Sequence, residues 1–144
     1  MLSVQSHRKK TAMTVRVYTA SKLYMHEAWK ELRVQQVDVE FTARWIDQAE
    51  KELGDARSLP ASFYEQCWLE DEADVRRADV VLVYGATDDM LIGALVEAGM
   101  GIALGKTVIC VGNAKGFGTW VHHPNVYRAK TVMEALELAK KLFP

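Results

Sequence analysis

Asp79-Val80-Val81-Leu82-Val83-Tyr84 and Thr107-Val108-Ile109-Cys110-Val111 bracket one long apolar stretch, Met90 to Leu104, and this trio decides the fold. Both short segments are continuous runs dominated by β-branched and aliphatic residues. They read as strands buried on both faces, the pattern of a parallel sheet. The stretch between them is long enough for a helix, is apolar all round, and stops at Gly105. A polar loop, Gly85 to Asp89, joins the first strand to that helix.

Working outward, Ala61 to Arg77 reads as a helix of mixed charge. Val15-Arg16-Val17-Tyr18 and Val37-Asp38-Val39-Glu40-Phe41 alternate as strands do, and Leu23 to Val34 places its apolar residues at helical spacing between them. Ile46 to Pro60 has no clean period and reads as a loop with some helical character, long enough to be a candidate functional loop. Beyond the second buried strand come a glycine-rich, aromatic loop (Gly112 to Pro124), an edge strand at Asn125 to Ala129, and a last amphipathic helix, Thr131 to Phe143. Thr131 and Glu134 offer that helix a capping box.

Strands alternating with helices predict a doubly wound α/β fold. The expected sheet has five parallel strands in the flavodoxin-like order 2-1-3-4-5. Ligands bind such sheets beyond the carboxyl ends of the strands, where three loops are expected to converge: Thr19 to Tyr24, Gly85 to Asp89, and Gly112 to His123.

Composition fits this picture. The 144 residues suit a single domain at 14–144, preceded by a polar, basic tail at 1–13 that is expected to be disordered and lacks the apolar stretch of a signal peptide. With 49% apolar residues, 26% charged residues and a formal net charge of −1, the chain has neither the makeup of a disordered protein nor the basic surplus of a nucleic-acid or membrane binder. Cys67 and Cys110 match no zinc spacing, and a disulfide framework is not expected, which points to a reducing cytoplasm.

Glu97 breaks the pattern around it. It is the one charged residue from Met90 to Gly105. Its neighbours three and four positions away are Ala94 and Gly93 on one side and Met100 and Gly101 on the other. Small residues beside a carboxylate leave room for a ligand. The competing account makes Glu97 structural, paired with Arg44 or Lys106, with the glycines serving only close packing.

Ala78 to Tyr84 followed by Gly93 to Val108 resembles the nucleoside 2-deoxyribosyltransferase superfamily. Its members carry alanine-aspartate, an apolar strand, a polar loop, then a helix with a glutamate, small residues and a terminal glycine-lysine. Val17-Tyr18-Thr19-Ala20-Ser21, Phe41-Thr42-Ala43-Arg44-Trp45 and Trp120-Val121-His122-His123-Pro124 resemble stretches of a phage and bacterial subgroup. The resemblance runs from about Val15 to Leu142. It implies that Glu97 is a nucleophile toward the anomeric carbon of a (deoxy)nucleoside or nucleoside 5′-monophosphate. It also implies that Asp71 contacts the base or moves a proton, with Asp74 the competing assignment, and that the chain forms a homodimer or higher homo-oligomer. Two departures are visible. Leu91 stands where transferases often carry an aspartate, the nearest acids being Asp88 and Asp89, and the first loop lacks a glycine-proline. Both leave hydrolysis open beside transfer to a second base.

Breaking an N-glycosidic bond builds positive charge on the sugar, which a carboxylate beneath the anomeric carbon stabilises or captures. Around Glu97 and Asp71, the expected substrate contacts are Thr19, Ser21 and Lys22 for sugar hydroxyls or a 5′-phosphate, with Ser21 equally suited to cap the next helix. Thr87 and Asp88 serve either the substrate or the cap of the Glu97 helix. Gly93 gives space, Trp45 stacks on the base or belongs to the core, and His122 lines the pocket mouth. Gly112, Gly116 and Gly118 make their loop a candidate lid. No cofactor is expected, and no metal, since adjacent His122 and His123 face different ways without a third ligand. The other functions kept open are a nucleotide sensor without turnover, an NAD-type glycohydrolase (against which stands the lack of G-x-G-x-x-G after the first strand), and an interaction module using the apolar helix.

Overall fold

A computed structural model describes residues 14–50 and 59–144; the tail at 1–13 and part of the Ile46 to Pro60 loop lie outside them. Five strands form one parallel sheet: β1 (Val15–Ala20), β2 (Val39–Phe41), β3 (Val80–Gly85), β4 (Thr107–Gly112) and β5 (Val126–Ala129), in the order β2-β1-β3-β4-β5. The helices are α1 (His26–Gln35), α2 (Ala61–Arg77), α3 (Gly93–Ala103) and α4 (Val132–Leu142). This is the doubly wound fold expected from the alternation of strands and helices.

The buried runs sit where their composition requires. Val80, Val81, Leu82 and Val83 of β3 and Val108, Ile109 and Cys110 of β4 are fully buried. Alternate residues of a strand face opposite sides. Gly101 of α3 lies against Val81 and Val108, while Tyr84 meets Trp29 of α1 edge-to-face at 6.4 Å, so α3 and α1 cover opposite faces. α2 packs beside α3. Lys140 of α4 reaches Gln36 and Asp38, placing α4 beside the α1–β2 turn.

Several boundaries differ from expectation. The apolar helix starts at Gly93, not Met90. The Asp89 carboxylate accepts from the Ala86 N–H at 2.9 Å and closes a turn, after which Met90 pairs with Lys115 as an isolated parallel bridge. That pairing keeps the first of three residues that carry a helical hydrophobic pattern out of the helix, and the chain bends at Ile92 before α3 begins. Residues 23–25 form a 3₁₀ turn ahead of α1, and β2 begins only at Val39, since Val37 is exposed. At α4, Thr131 Oγ1 accepts from the Glu134 N–H at 3.1 Å, as the capping box requires. The Glu134 carboxylate reaches back one residue further, to the Lys130 N–H at 3.0 Å.

β3 and β4 end together at the paired residues Gly85 and Gly112. Gly112 has a φ of 92°, and a Cβ there would stand 2.0 Å from the Gly85 carbonyl oxygen. Only glycine fits that conformation and that approach.

Candidate active site

A cavity of about 400 Å³ opens at the carboxyl end of β1. Its walls are the loop at 21–24, Arg44, Trp45 and Gln48 from the turn after β2, Cys67, Trp68, Glu70 and Asp71 from α2, and the segment at 90–92 with Gly93, Ala94 and Glu97 of α3.

Glu97 is 6% exposed and lines this cavity. Tyr18 Oη, from the buried strand β1, donates a hydrogen bond to Glu97 Oε2. Among the described residues no cation pairs with Glu97. Arg44 is committed to Asp74, with Nε at 3.0 Å and Nη2 at 3.0 Å, and to Glu70 at 3.4 Å. Lys106 Nζ donates to the Arg76 carbonyl at 2.8 Å. The internal ion pair that would make Glu97 purely structural is therefore not formed. Without a compensating positive charge, burial pushes the Glu97 carboxyl up to about 8.

The small residues around Glu97 divide between two roles. Gly93 and Ala94 line the cavity, and the Trp68 ring stands 3.5 Å from where a Gly93 Cβ would sit. Gly101 faces the sheet instead: a Cβ there would meet Val81 Cγ2 at 2.8 Å, so its smallness serves close packing.

Of the two competing aspartates on α2, Asp71 lines the cavity, beside Glu70. Asp74 is fully buried, accepting from the Arg44 backbone N–H at 3.0 Å as well as from the Arg44 and Arg77 guanidinium groups. It ties α2 to the turn after β2. Trp45 belongs to the core and also lines the cavity: it is 9% exposed, and its Nε1–H donates to the Thr19 carbonyl at 2.8 Å.

Ser21 and Lys22 line the cavity. Ser21 does not cap a helix; its hydroxyl accepts from Trp29 Nε1–H at 2.8 Å and donates to the Lys22 carbonyl at 2.9 Å. Thr19 is buried and is not a lining residue, and among the described residues its Oγ1 has no hydrogen-bond partner.

Thr87, Asp88 and His122 are exposed and are not among the lining residues. Thr87 and Asp88 do not cap α3 either, whose N-cap, Ile92, makes no side-chain hydrogen bond. The loop after β4 does not cover the cavity. Trp120 Nε1–H donates to the Gly116 carbonyl at 2.7 Å, and Phe117 packs edge-to-face on Trp120 while Arg128 lies over its ring, so the loop closes on itself.

The sequence reading missed Tyr18, Tyr24, Gln48, Trp68 and Asp89. Tyr18 had left a trace, since a tyrosine inside a fully buried strand needs a partner for its hydroxyl. Tyr24 Oη donates to buried Asp89 at 2.8 Å, a hydrogen bond that pushes the phenol up to about 12. With Lys22 Nζ donating to the Met90 carbonyl at 3.4 Å, it fastens the first loop to the segment preceding α3.

No family model and no curated protein matches the sequence. Among solved structures, the Clostridium botulinum CMP N-glycosidase BcmB is similar to this chain at a TM-score of 0.52 and 18% identity, covering 88% of this chain and 96% of that one. At that identity the likeness shows a shared fold across almost the whole domain.

Proposed function

We propose that this chain belongs to the nucleoside 2-deoxyribosyltransferase-like superfamily and cleaves the N-glycosidic bond of a (deoxy)nucleoside or nucleoside 5′-monophosphate, with Glu97 as nucleophile. The observation that carries the reading is a buried carboxylate without a cation partner, hydrogen-bonded by Tyr18 and opening onto a cavity of nucleoside size. The fold shared with a CMP N-glycosidase supports it.

In this mechanism the sugar sits over Glu97 and the base lies against Trp45 and Trp68. One Glu97 oxygen attacks C1′ as the C1′–N bond breaks, and the bonding pair leaves on the base nitrogen, which takes a proton from Asp71. Tyr18 holds the other Glu97 oxygen. Water, deprotonated by Asp71, then releases the sugar; a second base in its place completes a transfer. Ser21 and Lys22 contact the sugar or its 5′-phosphate, beside the uncapped N-terminus of α3.

The test is a panel of nucleosides and 5′-monophosphates, with and without a second free base, followed by chromatography of released base. Binding without release would favour a sensor. Release of nicotinamide from NAD, with the panel inert, would favour an NAD-type glycohydrolase.

The reading fixes the sign of a pH dependence. Only ionised Glu97 attacks, and with its carboxyl at about 8 roughly one molecule in ten is ionised at pH 7. On a nitrophenyl (deoxy)riboside, whose leaving group needs no proton from Asp71, the kcat/KM of the wild type is expected to rise close to tenfold per unit between pH 6 and 7 and to level off above 8. Tyr18→Phe removes a hydrogen bond that favours the charged form, so the rising limb should move to higher pH. A flat profile from pH 6 to 9 would remove Glu97 from the nucleophile's role.

A homodimer is part of this proposal. Leu69, Met90, Ile92 and Val96 are each at least half exposed; Met90 and Ile92 line the cavity with Trp68, Leu69 follows Trp68 on α2, and Val96 precedes Glu97 on α3. A second copy covering these side chains would remove them from water. Sedimentation at micromolar concentration is expected to show a dimer that Leu69→Lys with Val96→Lys converts to monomer. No helix among the described residues is long and apolar enough to cross a membrane.

A further inference from the structure

At the start of α1, and outside the cavity lining, His26, Glu27 and Glu50 bring one imidazole nitrogen and two carboxylate oxygens within 4.8 Å of one another. His26 is 8% exposed, and among the described residues its buried Nδ1 has no hydrogen-bond partner, the nearest Glu27 oxygen, Oε1, standing 3.5 Å away. A buried polar atom without a partner is costly and calls for an explanation. The two glutamates are exposed and free to adjust. Lys30 Nζ now stands 3.6 Å from Glu27 and 3.7 Å from Glu50, so the place between the carboxylates already attracts a positive charge. Exposed ion pairs of this kind contribute little, and the ammonium is easily displaced.

We infer that His26, Glu27 and Glu50 form a divalent-cation site with the ligand preference of Zn²⁺. One neutral imidazole and two carboxylates are a recurrent three-residue set for that ion, with a fourth position left to water. Bond lengths of about 2.0–2.2 Å require donors closer together than those seen, a gap the two exposed glutamates close by changing rotamer. The linear sequence gives no hint of this set, because Glu50 comes from the turn after β2. An ion held there would staple the start of α1, just after the loop carrying Ser21 and Lys22, to the segment carrying Trp45 and Gln48. The site does not depend on what the cavity binds.

Zn²⁺ titrated calorimetrically into the metal-free full-length chain should bind at one site per chain and raise the melting temperature. Glu27→Gln and Glu50→Gln should each weaken binding at least tenfold, and Lys30→Met should strengthen it several-fold. Both glutamates are exposed, so their variants remain informative even if His26→Gln fails to fold. Absence of saturable binding up to millimolar Zn²⁺ would overturn the assignment, as would binding left unchanged by both glutamate substitutions, which would place the ion elsewhere, for instance at His122 and His123.

Discussion

Glu97→Gln is expected to lower the release of free base by at least about 10³-fold, because the amide can neither attack C1′ nor carry the charge that balances the sugar cation. The substitution keeps shape and volume, and the amide oxygen can still accept from Tyr18 Oη. Substrate should therefore still bind, and the loss should fall on kcat. The same variant has a second consequence, in stability. The Glu97 carboxyl has an ordinary value of 4.5 and stands at about 8 in the folded chain, so between those values the folded state holds a proton that the unfolded chain releases. The associated stability is complete below about 4.5 and is lost as pH rises through 8. Glutamine never titrates. Urea unfolding should find Glu97→Gln more stable than wild type at pH 9, by something on the order of 3 kcal/mol, with little difference at pH 5. Loss of activity without this pH-dependent gain would mean that the carboxylate is better solvated than its burial indicates.

Gly112→Ala should cost about 3–5 kcal/mol and lower the melting temperature by roughly 10 °C. The new Cβ would meet the Gly85 carbonyl oxygen at 2.0 Å, a backbone atom that cannot rotate away, and the φ of 92° is itself strained for alanine. The two penalties act together at the point where β3 and β4 end, so relief requires the strands to part. Gly118 is the control: nothing lies within 4 Å of a Cβ there, its φ is −99°, and Gly118→Ala should change stability by less than about 0.5 kcal/mol. Equal melting of Gly112→Ala and wild type would show that the two glycines approach less closely than described.

Both expectations start from features that the sequence displayed unevenly. The β3–α3–β4 unit was legible because fully buried parallel strands show as unbroken apolar runs, and Glu97 because a lone charge in such surroundings is costly. The start of α3 was not legible. Met90, Leu91 and Ile92 continue the apolar pattern, and what ends the helix before them is a pairing with Lys115 and a turn closed by Asp89. The α2 wall of the cavity was legible only through Asp71. Cys67 and Trp68 face the cavity because Asp74 binds Arg44 and draws the helix against the turn after β2, a contact between distant parts of the chain. Thr87, Asp88 and His122 were placed by the rule that loops gather at the carboxyl edge, which does not say how far along that edge each loop lies. The cavity lies beside β1, whereas the loop after β4 borders a separate hollow with Gly112, Asn113 and Arg128.

The strand order also governs how the molecule is assembled. β1 carries the hydroxyl that meets Glu97, and its longer pairing, from Val17 with Val80 to Ala20 with Val83, is with a strand made long after it; its earlier neighbour β2 contributes only three registered pairs. A nascent chain emerging from the ribosome must therefore keep its first strand half-satisfied until β3 has been synthesised, and Tyr18 without its acceptor until α3 follows. The Tyr18–Glu97 pairing becomes available only once α3 follows β3, while β4 and β5 are still to be made.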